Sequence, residues 1–93
     1  MKKQSLGIIG AGAFGAFMAK HLAPHFDLVL HDAHKSTVKL TKQFKAKSGD
    51  LRAAAACEIV VIAVPVQQIE SVLRVIAPLL KKGALVIDVG SVK

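Results

Sequence analysis

Gly10, Gly12 and Gly15 stand in the run Gly10-Ala11-Gly12-Ala13-Phe14-Gly15, and an acid, Asp32, follows 22 positions after Gly10. Residues of these types at this spacing suit the binding of a dinucleotide. A glycine at the first position lets the chain turn sharply off a strand. One at the second leaves room for a pyrophosphate beside the backbone, and one at the third lets a helix pack closely. The opening N–H groups of that helix lack intrahelical partners and favour an anion. A carboxylate about twenty residues on accepts hydrogen bonds from a ribose diol.

These residues need particular elements to hold them. The apolar run Leu6-Gly7-Ile8-Ile9 reads as a buried strand over Ser5 to Gly10, and Ala13 to Ala23 as a helix ended by Pro24. A second strand runs from Asp27 to Asp32. A polar helix capped by Ser36 follows, ending near Ser48-Gly49, with a third strand short or missing near Ala46 to Ser48. Asp50 is placed to cap a short helix through the alanines at 53–56. The nearly pure aliphatic run Ile59 to Val64 has the pattern of a central parallel strand, ended by Pro65. A helix from about Gln67 presents Ile69, Val72, Leu73, Ile76 and Leu80 on one face, with Glu70 and Arg74 paired outside it. Pro78 interrupts the helix, Gly83 closes the segment, and Ala84 to Val89 forms the last strand.

Alternating strands and helices imply right-handed crossovers and a Rossmann-like α/β fold with a parallel sheet. Its switch point lies between the first strand and the Ile59 strand, so a ligand belongs outside their carboxyl ends. The glycine loop, Asp32, His34, Val64, Pro65, Gly90 and Ser91 all fall on that edge. The expected cofactor is NAD. NADP is disfavoured by the charge of Asp32, a preference blunted by nearby His34 and Lys35.

Composition bounds the alternatives. At 93 residues the chain is one small domain, expected to bury about 60–65% of its unfolded surface. Its apolar runs are too short to span a bilayer, and no membrane association or targeting segment is expected. Cys57 has no second cysteine to pair with, which suits a reducing, cytoplasmic setting. No ligand cluster points to a metal. The net charge of +7 comes from 13 Lys and Arg against 6 acids, concentrated between Lys35 and Lys47. Without interleaved aromatics or a helix-turn-helix pattern it does not imply nucleic-acid binding.

The chain ends Asp88-Val89-Gly90-Ser91-Val92-Lys93. This tail resembles the D-x-x-S-V-K end of the fifth strand in prephenate and arogenate dehydrogenases. The order of glycine fingerprint, acid, V-I-A-V-P and S-V-K is similar to the N-terminal half of that family over essentially all 93 residues. The resemblance implies oxidative decarboxylation of prephenate to 4-hydroxyphenylpyruvate in tyrosine biosynthesis, with hydride passing to a nicotinamide. Arogenate is the alternative substrate. It also implies that Ser91 lies beside the substrate hydroxyl as a catalytic residue. The family's catalytic His lies beyond S-V-K, and His21, His25, His31 and His34 do not match it. The expectation is thus a fragment: a cofactor domain at 1–93, without the substrate and dimerisation domain, inactive alone and prone to self-association. Two alternatives stand beside it. One is a β-hydroxyacid or imine dehydrogenase cofactor domain, and the other a non-catalytic nucleotide-sensing Rossmann module.

Overall fold

The computed structural model describes residues 3–10, 12–33 and 37–89, without the side chains of residues 13 and 14. The elements are β1 (Ser5–Ile9), α1 (Ala13–Leu22), β2 (Asp27–His31), α2 (Val38–Phe44), β3 (Lys47–Ser48), α3 (Leu51–Ala55), β4 (Ile59–Ile62), α4 (Val66–Ile76) and β5 (Leu85–Asp88). A 3-10 turn at Ala77–Leu79 follows α4. The strands form one sheet in the order β3-β2-β1-β4-β5, with every neighbouring pair parallel. This is the expected Rossmann-like arrangement, with the order reversing between β1 and β4.

The core has two layers because successive strand residues point to opposite faces. On one face Ile9, Val60 and Ile62 pack with Ala54 and Ala55 of α3 and with Ile69 and Ile76 of α4. On the other, Leu6, Ile8, Leu28, Leu30 and Val61 pack with Ala19 of α1. The central strands are thus apolar on both sides, which explains the continuous aliphatic run of β4. Gly7 permits an unusually close approach on the first face. A Cβ there would lie 2.0 Å from the carbonyl oxygen of Ala54, so the α3 backbone rests directly on β1.

At the amino edge of the sheet, Ser5 and Glu58 hold β1 and β4 together reciprocally. The Glu58 N–H donates to Ser5 Oγ at 2.9 Å, and the Ser5 N–H donates to Glu58 Oε1 at 3.2 Å. Cys57 is buried nearby and free of any disulfide. Burial pushes its thiol above the ordinary value of 9.0, and the Glu58 carboxylate adds to the rise against a hydrogen bond with Ser5.

Most expected elements form, with shifted ends. β1 stops at Ile9 and β2 at His31, because Gly10 and Asp32 already turn into loops. The N-cap position of α2 belongs to Thr37, while Ser36 lies outside the described residues. The Thr37 hydroxyl does not cap; it pairs with Ser48 Oγ and ties the helix start to β3. α2 ends at Phe44 rather than near Ser48, because Lys45 turns left-handed at φ 56° and frees Lys47–Ser48 to pair with Val29–Leu30. β4 ends at Ile62, two residues early, and α4 begins at Val66 with Pro65 as its N-cap. β5 is trimmed by one residue at each end. Asp50 caps α3 as expected, its Oδ1 accepting the Ala53 N–H at 2.8 Å. Arg74 reaches Glu70 at 2.8 Å on the exposed side of α4, where such a pair adds little stability. Leu73 departs from the expected buried face: it is 38% exposed.

Candidate nucleotide-binding site

The carboxyl ends of four strands meet at one edge, tied by hydrogen bonds that run one residue past the strands. The Gly10 N–H donates to the His31 carbonyl at 2.7 Å, and the Ala63 N–H to the Ile9 carbonyl at 2.8 Å. The Val89 N–H donates to the Ile62 carbonyl at 3.0 Å. Gly10, Asp32, Ala63 and Val89 therefore sit side by side, each just beyond the end of its strand.

The three fingerprint glycines meet different surroundings. Gly10 adopts φ +112°, a conformation that disfavours any side chain, and a Cβ there would lie 2.6 Å from the Ala63 carbonyl oxygen. A Cβ at Gly15 would lie 2.1 Å from the Gly10 carbonyl oxygen, so α1 can rest on the end of β1 only with glycine there. A Cβ at Gly12 would meet nothing within 4 Å. Two glycines are thus demanded by the protein's own packing. The third faces open space, where a side chain would occupy volume that the fold leaves clear.

Gly12 is also the N-cap of α1, in extended conformation and with no side-chain cap. Ala13 and Phe14 supply the first residues of the helix. The α1 start therefore offers backbone N–H donors and the positive end of a ten-residue helix beside the clear volume at Gly12. Asp32 is half-buried directly after β2. The open backbone at Gly12, the helix start and the neighbouring carboxylate fit a diphosphate followed by a ribose.

Val64 is half-buried and packs with the α3–α4 layer, and Pro65 is exposed at the start of α4. The sequence-expected Gly10, Gly12, Ala13, Phe14, Gly15, Asp32, Val64 and Pro65 are all at or next to this edge. His34, Gly90 and Ser91 lie outside the described residues. Sequence reading missed Ala63, whose carbonyl makes glycine obligatory at position 10. The signal for it is the register of β1 and β4, which only the sheet reveals. Among the described residues no group of His, Cys, Asp and Glu could hold a metal ion. Nor, among them, is any helix long and apolar enough to cross a membrane.

Residues 17–93 match the family described as prephenate dehydrogenase, nucleotide-binding domain. The chain belongs to this family. Prephenate dehydrogenase membership rests on most of the chain, while the glycine turn before Phe17 stands on the geometry above. Arogenate dehydrogenase of Synechocystis is similar at TM-score 0.84 and 30% identity, over 96% of this chain and 34% of that one. D-lactate dehydrogenase of Escherichia coli matches at TM-score 0.77 and 16% identity, over 94% of this chain and 28% of that one. D-mandelate dehydrogenase of Rhodotorula graminis matches at TM-score 0.77 and 22% identity, over 94% and 27%. At such identities the last two show the shared fold. The chain spans about a third or less of the length of these structures. Among curated proteins none matches.

Proposed function

We propose that this chain is the cofactor half of a prephenate or arogenate dehydrogenase and that its carboxyl edge binds NAD in preference to NADP. The observation that carries the reading is the contrast between Gly12, where a Cβ would meet nothing within 4 Å, and the tightly packed Gly10 and Gly15, with Asp32 just past the end of the neighbouring strand. Backbone N–H groups of the first α1 turn hold the diphosphate. Asp32 accepts both hydroxyls of the adenosine ribose and repels a phosphate at the 2′ position. NAD held there would supply a hydride acceptor for oxidation of the substrate. In this reading Ser91, matched to the serine of S-V-K, has the catalytic role that the resemblance implies, and Gly90 and His34 are counted among the cofactor-binding residues. Val64 and Pro65 form the wall between the two halves of the cofactor. None of the chain's histidines matches the family's catalytic His, so these 93 residues alone bind without turnover. The reading places the protein in the cytoplasm, where a buried free thiol such as Cys57 is preserved.

Self-association belongs to the same proposal. β5 ends the sheet among the described residues, and Leu85 and Ile87 beside its edge are 56% and 38% exposed.

Calorimetric titration with NAD and NADP tests the cofactor reading. The expected result is weak NAD binding and still weaker NADP binding. NADP binding as tight as NAD would overturn the role given to Asp32, and no binding of either would overturn the site.

A further inference from the structure

We propose that His31 is a positioning residue of the nucleotide edge, locking the Gly10 turn and Asp32 to the turn between β3 and α3. The inference rests on the proposed dinucleotide reading for its effect on binding, but the lock itself is a property of the fold.

His31 is the last residue of β2 and immediately precedes Asp32. It is engaged on two sides. Its carbonyl accepts the Gly10 N–H at 2.7 Å, which fixes it to the glycine turn. Its ring Nδ1 lies 3.1 Å from the Gly49 carbonyl oxygen. A carbonyl only accepts, so Nδ1 carries the proton and donates.

Gly49 is a firm anchor. Its N–H donates to the Leu30 carbonyl at 3.0 Å, and a Cβ on it would press on Val29 Cγ1 at 2.9 Å and Ala53 Cβ at 3.0 Å. The next residue, Asp50, caps α3. The need for an anchor follows from β3, which is only two residues long. Its pairing with β2 ends at Leu30 and Ser48, so no rung of the ladder secures His31 on that side. The imidazole bridges the gap, and the backbone that leads into Asp32 is held from both flanks. Without the ring, β2 would remain tied to Gly10 and, through the Leu30 carbonyl, to Gly49, but His31 itself would lose its hold on the Gly49 side, and the Asp32 carboxylate would be less sharply placed.

Three variants of the full chain separate this role from simple packing. His31→Asn keeps a donor near the Nδ1 position. His31→Gln moves the donor about one bond farther, and His31→Ala removes it. The first readout is amide hydrogen exchange at Asp32 in the absence of cofactor. The second is calorimetric binding of NAD and AMP. Exchange at Asp32 should rise in His31→Ala and His31→Gln and stay near the parent level in His31→Asn. NAD and AMP affinities should fall by roughly 3- to 10-fold in the same two variants, the effect of one lost side-chain hydrogen bond, and recover in His31→Asn. Should His31→Ala not fold, the Asn and Gln pair carries the comparison alone. Unchanged exchange at Asp32 in His31→Gln would overturn the lock, as would equal effects of Asn and Gln. If the parent chain bound neither NAD nor AMP while exchange followed the expected order, the lock would stand and the dinucleotide reading would fall.

Discussion

A Cβ on Gly7 would lie 2.0 Å from the carbonyl oxygen of Ala54, a closer approach than at any glycine of the 10–15 fingerprint. The obstacle is backbone on both sides, and neither element can move without parting α3 from the sheet. Gly7→Ala should therefore destabilise the fold by at least ~3 kcal/mol, at or above the upper end of ordinary overpacking costs. Urea denaturation followed by circular dichroism checks this, and a loss below about 1 kcal/mol would show that α3 can shift.

Gly12→Val should do the opposite. Its Cβ meets no neighbour within 4 Å, and the residue is extended at φ -70° rather than left-handed. The melting temperature should stay within a few degrees of the parent, while NAD binding is lost. A variant that binds NAD normally would place the cofactor elsewhere.

Asp32→Asn keeps the shape of the side chain and removes its charge. A hydrogen bond to a charged group is worth about 1.5–3 kcal/mol, so NAD affinity should fall by roughly tenfold or more. NADP affinity should fall less or rise, narrowing the ratio. Calorimetry with both cofactors reads that ratio directly.

Cys57 links stability to alkaline pH. Its folded-state pKa is raised by burial, so the thiol ionises more readily in the unfolded chain. The stabilisation is full below the unfolded value and is lost as pH rises through the folded one. Denaturation midpoints should hold steady up to about pH 8 and decline above it. Cys57→Ala should flatten that decline. At pH 8 a thiol reagent should label native protein slowly and urea-unfolded protein at once.

Ile87→Lys places a charge on the exposed β5 surface. Loss of one buried aliphatic side chain should weaken self-association by about tenfold or more, with little change in the melting temperature. Sedimentation velocity across a concentration series gives the result, and a parent chain that stays monomeric at the highest concentration would remove the basis for the contact.

The strands, the helices and the shared carboxyl edge of the sheet were legible in the sequence because each depends on local pattern. Apolar runs bounded by Gly10, Pro65 and Gly83 mark strand ends, and Asp50 before a run of alanines marks a cap. What escaped depends on which distant residues meet. Nothing in the sequence says that Gly7 faces Ala54 or that His31 reaches Gly49, since both contacts arise from the β3-β2-β1-β4 order. Nor does the sequence show that the Thr37 hydroxyl turns to Ser48 instead of capping α2. Leu73 has the right helical spacing, but the way α4 lies on the sheet leaves it 38% exposed.

The two borders of the sheet are unequal. β3 presents only Lys47 and Ser48, a short border carrying a lysine, whereas β5 offers four residues. Joining two chains through β5 would use up the longer border that each presents among the described residues. Such an assembly would close as a symmetric pair rather than propagate into a filament.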